Sequence, residues 1–282
     1  DRGSLDLAVL YWRALRPLLV LQIEIARGSE PPRSVRVEAE VKKTRPLTDL
    51  TEESSVYTLI REAEKQKETF YYHVDDDGIG YAELPSFVAD TSFLSGLMGK
   101  LKSARATIVD LRGNLGGSRD GLVHFTGFFA EKPEVVAEVV QRKKTEPLAV
   151  KPRQPRLSGP LFVLVDSRSA SAAEVFARHV QRTGRGKVIG DRTAGRVTLA
   201  KFVGMQHGVD TAIFYGVEVA VGRIVFPGNE ELEKRGVTPD HLCIPTADDQ
   251  REGRDPCMRL AIGEARKALA LPAGGETPGR DQ

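Results

Sequence analysis

Apolar and polar positions fall along this chain in two rhythms, and the change from one to the other marks its elements. Leu5–Leu15 is an apolar stretch followed by two alternating runs, Leu18–Ile25 and Val35–Val41, parted by Gly28–Arg33 with its two prolines. That pattern predicts a helix and a β-hairpin over residues 1–45. The segment is too small for a secure core of its own. Ser54–Thr69 reads as an amphipathic helix, and Thr69–Val74 and Gly78–Leu84 as strands around an Asp75-Asp76-Asp77-Gly78 turn. Between Thr91 and Ser103, Phe93, Leu94, Leu97, Met98 and Leu101 share one helical face.

The apolar runs then become short and continuous. Ala106–Leu111, Leu161–Val165 and Lys187–Gly190 read as buried strands, with helical or irregular chain from Gly116 to Glu131 and a helix over Ser171–Arg182. Strands alternating with helices imply βαβ units and a mostly parallel sheet, hence an α/β fold. Ala212–Phe226 is β-rich. A last helix opens at Asp255-Pro256, with proline at its first position, and runs to Leu271. The Gly/Pro/charged stretch 272–282 reads as a disordered tail, and 46–271 as one core.

Composition changes this picture little. The chain has 282 residues, 40% hydrophobic and 28% charged, with net charge +2. That balance points to no nucleic-acid partner. The densest basic stretch, Arg142 to Arg156, is interleaved with prolines, lacks aromatic residues and reads as a solvated loop. No apolar run is long enough to span a membrane, and no signal peptide is visible. Cys243 and Cys257 could form one disulfide or be two buried thiols, and with His241 they do not make a zinc site. Neither a metal nor a cofactor is implied.

Three strand ends carry candidate chemistry. Asp110-Leu111-Arg112-Gly113-Asn114-Leu115-Gly116-Gly117 is a strand running into a glycine turn, where backbone N–H groups can face a ligand. A phosphate loop is disfavoured, because no Gly-Lys-Ser/Thr follows. The second is Ser169-Ala170-Ser171-Ala172-Ala173-Glu174, which places a hydroxyl at a helix N-terminus. Ser171 and Glu174 also match a capping box, which accounts for them without any chemistry. The third is Gly190-Asp191-Arg192-Thr193-Ala194-Gly195-Arg196, again a strand end and a glycine turn. Parallel strands would bring all three to one sheet edge, where α/β proteins place their sites.

Together these segments resemble the C-terminal-processing (tail-specific) serine protease family, whose relatives include the tricorn core protease. The family pattern is Asp-Leu-Arg-Gly-Asn-x-Gly-Gly, then Ser-Ala-Ser-Ala-Ser/Ala-Glu, then Gly-x-x-Thr-x-Gly-Lys. Gly78-Ile79-Gly80-Tyr81 and Gly236-Val237-Thr238-Pro239-Asp240 add smaller echoes, and the resemblance covers roughly residues 55–270. It implies a crotonase-like (ClpP/crotonase-type) core, polypeptide substrates and a location outside the cytoplasm. Residues 1–45 resemble the second half of a PDZ domain. The resemblance puts Ser171 at the nucleophile, and Ala172 with Gly116 or Gly117 at the backbone oxyanion hole.

One position departs from the pattern. The family's usual lysine base is Arg196 here, and arginine does not give up its proton. Ala200 and Arg182 stand where the family often has glutamine and an acid. His73 is the first replacement base by chain order and His124 the second, with Lys187 and Lys201 behind them. Glu174 would pair with such a base or orient Ser171. The resemblance therefore implies a serine endopeptidase with a non-standard base. The alternatives are a non-catalytic relative that binds peptides or apolar ligands, with Arg196 holding a carboxylate, and a thioester enzyme on the same fold.

Overall fold

The computed structural model describes residues 19–25, 31–38, 71–88, 90–207 and 213–270. The chain divides into two compact units, Asp1–Val56 and Tyr57–Gln282. The described part of the first is an antiparallel hairpin of β1 (Val20–Ile25) and β2 (Arg33–Glu38), in which Leu21 faces Val37 and Ile23 faces Val35. The alternating pattern predicts this pairing. The expected helices at Leu5–Leu15 and Ser54–Thr69 and the tail 272–282 lie outside the described residues.

The second unit is built on a six-stranded sheet in the order β12-β9-β8-β5-β4-β3. Its strands are β3 (Tyr72–Val74), β4 (Ile79–Glu83), β5 (Ala106–Asp110), β8 (Leu161–Val165), β9 (Gly186–Gly190) and β12 (His241–Leu242). All adjacent pairs are parallel except β3 with β4. β5 and β8 are buried at every residue, because both faces are covered. One face carries Ala82, Val109, Val163 and Val165. It packs under α1 (Thr91–Lys100), α2 (Arg119–Gly127) and α3 (Ala172–Thr183), whose Leu94, Met98, Phe125 and Phe176 join the same core. The other face, with Ile79, Tyr81, Ile108, Phe162 and Leu164, is covered by α5 (Pro256–Ala268) through Cys257, Ala261 and Ala265. Cys243 and Cys257 are joined in a disulfide that ties the end of β12 to the start of α5.

A second sheet has the order β10-β11-β6-β7 and is antiparallel throughout. It comprises β6 (Glu134–Gln141), β7 (Thr145–Val150), β10 (Leu199–His207) and β11 (Ile213–Val225). The basic segment read as a loop is therefore partly a strand. Its alternation of buried Leu148 and Val150 with exposed neighbours is a half-buried strand pattern, and β7 lies at the sheet edge, where Pro147 is tolerated. A short helix, α4 (Ala247–Arg251), precedes α5.

Candidate active site

β5, β8 and β9 lie side by side, so their C-terminal ends form one edge. The turns leaving them are laced together. Asp166 Oδ1, at the end of β8, accepts from Gly113 N (2.9 Å) and Ser169 N (3.0 Å), and Ser169 Oγ donates to Leu111 O (2.7 Å). Ala170 N donates to Asn114 O (2.8 Å), and Ala194 N donates to Ser169 O (2.9 Å). The glycine turn, the serine turn and the Gly190–Arg196 turn are thus one hydrogen-bonded body.

Ser171 sits in the middle of it, half-buried, with φ +54° and ψ −117°. A non-glycine residue in that region is held there by its surroundings. Its N–H donates to Arg196 O (2.9 Å) and to Glu174 Oε2 (3.0 Å). The expected capping box is present, with the Glu174 carboxylate on the Ser171 N–H and the Ser171 side chain toward the Glu174 N–H. The Ser171 carbonyl also accepts from Glu174 N (2.9 Å) and Val175 N (3.0 Å). Ala172 N–H, the first amide of α3, has no hydrogen-bond partner among the described residues.

Gly116 and Gly117 pack against this turn with φ +103° and +146°. A Cβ at Gly116 would come within 2.6 Å of Ser171 Cβ and 3.1 Å of Ala172 N, so only glycine allows the approach. The two glycine amides are not equivalent. Gly116 N donates to Asn114 Oδ1 (2.7 Å), whereas the N–H of Gly117, an exposed residue, has no partner among the described residues. Asn114 is fully buried and anchored by Nδ2 to Leu84 O (2.6 Å). Beneath Gly117 lies Phe87, whose N–H donates to Gly116 O (2.7 Å). A hydroxyl beside two open amides, at a helix N-terminus, is an arrangement able to carry out acyl transfer.

Glu174 has no access to solvent. Its carboxylate accepts from Thr193 Oγ1 (2.5 Å), Gly195 N (2.8 Å), Arg196 N (2.9 Å) and Ser171 N. Burial pushes its proton affinity above the usual carboxylate range, and these hydrogen bonds oppose that shift. Its described partners include no histidine and no lysine, and its bonds tie the Ser171 turn to the Gly195–Arg196 turn. Arg196 brackets Ser171 through its main chain. Its guanidinium is exposed and makes no ion pair among the described residues.

His73 is corrected. It lies on the edge strand β3 opposite Tyr81, three strands from β8, or about 14 Å laterally at ordinary strand spacing. Directly paired residues share a face, and Tyr81 packs with Ile108 and Phe162 on the side opposite α3. The imidazole rests between Tyr71 and Tyr81, each 5.5 Å away, with Nδ1 buried and unpartnered. His124 is held on α2 by Ser95 Oγ (2.8 Å) and lies edge-on to Phe128; burial and the Arg153 charge keep it below the usual histidine range. Lys187 pairs with Phe162 at the start of β9, about 10 Å below the strand ends, and Lys201 projects exposed from β10. Arg182 joins Arg178 on Glu230. Among the described residues, no basic side chain is hydrogen-bonded to the Ser171 hydroxyl. Asn114, Thr193 and Phe87 went unassigned from sequence, although Asn114 and Thr193 lie inside the motifs.

A serine at a strand-to-helix turn, laced to two glycine turns on one edge of a mixed α/β fold, describes a class of serine hydrolases. Residues 78–243 match the model of Peptidase family S41, more than half of the chain, and the chain belongs to that family. A tail-specific protease of Haemophilus influenzae is 34% identical over 211 residues, 71% of this chain and 30% of that protein. The chloroplastic carboxyl-terminal-processing peptidase 1 of Arabidopsis thaliana is 27% identical over 160 residues, 56% of this chain and 32% of that protein. The chain thus spans about a third of the length of these relatives. Among solved structures, mature CPAF superimposes with a TM-score of 0.59 at 14% identity, covering 90% of this chain and 68% of that one, a likeness of fold.

Proposed function

We propose that this chain is a serine-type endopeptidase of the C-terminal-processing kind, acting on polypeptides through Ser171. The observation that carries the reading is the conformation of Ser171, held at positive φ between the open amides of Ala172 and Gly117. Ser171 Oγ attacks the scissile carbonyl and passes its proton to a base. The carbonyl oxygen gains negative charge and takes the Ala172 and Gly117 N–H groups, each donor worth about 3–4 kcal/mol in such sites. Collapse expels the amine half of the substrate with a proton, and water then releases the acyl half from Ser171. Gly116 acts in this scheme by its lack of a side chain, since its amide is already given to Asn114. The base is not the side chain of residue 196, because a guanidinium stays protonated.

The crotonase-like arrangement and a PDZ-like nature for residues 1–45 belong to the same reading, supported by the sheet edge around Ser171 and by the β1–β2 hairpin. The Cys243–Cys257 disulfide supports a location outside the cytoplasm, where such bonds persist. A second reading, a peptide-binding relative without hydrolysis, is favoured by the exposed Arg196 at the lysine position. Labelling by a serine-directed phosphonate separates the two. The peptidase reading expects stoichiometric modification of Ser171 and peptide hydrolysis that is lost in Ser171→Ala. An unmodified Ser171, under conditions that label an active family member, leaves the binding reading in its place.

A further inference from the structure

The three segments that enclose Ser171 carry five exposed basic side chains: Arg168, Arg192, Arg196, Lys234 and Arg235. The main chain fixes their proximity. Arg168 lies in the serine turn, and Arg192 and Arg196 lie in the turn bonded to it through Ala194 N and Arg196 O. Lys234 N donates to Gly195 O at 2.7 Å, and a Cβ at Gly195 would come within 2.9 Å of Arg235 N. None of the five side chains is in an ion pair among the described residues, although most other arginines of the sheet-bearing unit are, including Arg112, Arg178, Arg182, Arg223 and Arg266.

Acidic groups in the same segments are few or committed. Glu174 is buried on four donors, and Asp166 is spent on turn amides. Glu233 Oε2 accepts from Val197 N and Thr198 N, and Asp191 Oδ1 accepts from Arg192 N. The chain as a whole is close to neutral, so this concentration of unpaired cations is local. Such a cluster raises the local concentration of anions and speeds their arrival. Arginine guanidinium groups match carboxylates in shape as well as charge.

We propose that this basic rim selects carboxylate-bearing polypeptide segments and brings them to Ser171. The inference rests on the reading of Ser171 as the site where polypeptide is engaged, and it adds the class of segment. The carboxylates come either from glutamate and aspartate side chains or from the free C-terminus of the chain. Arg196, tied by its own carbonyl to the Ser171 N–H, is the rim residue set to read whichever carboxylate lies closest to the bond at Ser171.

The test is binding, so that it does not depend on turnover. The full chain carrying Ser171→Ala is titrated, by fluorescence anisotropy at low salt, against one labelled peptide in several forms. These are neutral and amidated, amidated with interior glutamates, neutral with a free C-terminus, and amidated with interior lysines. The expected result is binding about tenfold tighter, the scale of one charge-assisted hydrogen bond, for at least one carboxylate form over the neutral amidated one. The lysine form is weakest, and added salt erodes the advantage. A gain confined to the free C-terminus identifies the terminal carboxylate as the source; a gain with interior glutamates identifies side chains. The combined Arg168→Gln, Arg192→Gln and Arg196→Gln variant, whose exchanges leave every main-chain bond of the turns in place, should lose the preference. Equal affinity for all forms, or tighter binding of a single-stranded oligonucleotide than of the acidic peptide, overturns the proposal. Failure of the peptidase reading looks different: the acidic peptide binds the Ser171→Ala variant but the unmodified chain does not cleave it.

Discussion

The N–H of Ser171 donates to the carbonyl of Arg196 at 2.9 Å, so the serine is tied by main chain to the residue at the family's usual lysine position. The bond does not involve the side chain of residue 196. Position and chemistry are therefore separable here: the turn keeps its geometry while the side chain has become a permanent cation.

Arg196→Lys should speed the chemistry without disturbing the turn. The Arg196 N–H and carbonyl bonds to Glu174 and Ser171 survive the exchange. A lysine amine can lose its proton and accept one from a hydroxyl, a contribution of about 10²–10⁴-fold in rate. We expect peptide hydrolysis and phosphonate labelling of Ser171 both to rise by about 10²-fold, with an unchanged melting temperature. Parallel assays of rate and melting check this, and an intact fold with neither rate altered removes side chain 196 from the proton path.

Gly116→Ala tests the contact between the glycine turn and the serine. The new methyl would stand 2.6 Å from Ser171 Cβ and 3.0 Å from Ala170 O, at a φ of +103°. Relief requires Ser171 to move, and a displacement of about 1 Å costs about 10²-fold in rate. Stability should fall by about 1–3 kcal/mol from strain and overlap. Labelling kinetics and urea titration measure the two effects; a full rate of labelling would mean that the turn yields at no cost to the serine.

The strands that end at this site were legible because each is a continuous apolar run broken by small residues. That pattern places the turns of Ser171, Gly116 and Gly117 at neighbouring strand ends, and the family resemblance proposes their roles. The four-stranded sheet was harder to read. β7 puts Glu146 and Pro147 ahead of Leu148 and only Ala149 between Leu148 and Val150, and a solvated edge strand looks like a loop when its partner is unknown. The position of His73 was hidden for another reason. Chain order puts it near the site, but whether a strand residue faces the site depends on register, and pairing with Tyr81 turns it to the far face. The division of labour between Gly116 and Gly117 was equally hidden, because it depends on where the Asn114 side chain folds back.

Reduction of the Cys243–Cys257 disulfide should loosen α5 from the sheet. The bond closes a loop with a sequence separation of 14, for which chain entropy predicts about 3 kcal/mol of stabilisation. Cys257 is also buried, on the core face of α5. A Cys243→Ser, Cys257→Ser variant should unfold at lower urea by an amount corresponding to about that figure, and dithiothreitol should have the same effect on the unmodified chain but none on the variant. Equal unfolding curves for all three would show that α5 is held by packing alone.

Glu174 should give the chain a recognisable pH dependence. Burial raises its folded proton affinity above the usual value of 4.5, so the folded state holds the proton more tightly than the unfolded state does. Stability from this group is therefore greatest below about pH 4.5 and falls as pH rises through the folded value, where the carboxylate ionises within the core. At neutral pH the ionised group still satisfies Ser171 N, Gly195 N, Arg196 N and the Thr193 hydroxyl. Glu174→Ala leaves those donors unpaired and should cost about 3–5 kcal/mol. Glu174→Gln cannot ionise, so the difference in unfolding free energy between the unmodified chain and this variant should shrink as pH rises above 4.5 and then level off. Urea titrations of both proteins from pH 4 to 8 measure it. A difference independent of pH, or one that grows with pH, would mean that the four donors outweigh burial and hold Glu174 ionised from the start.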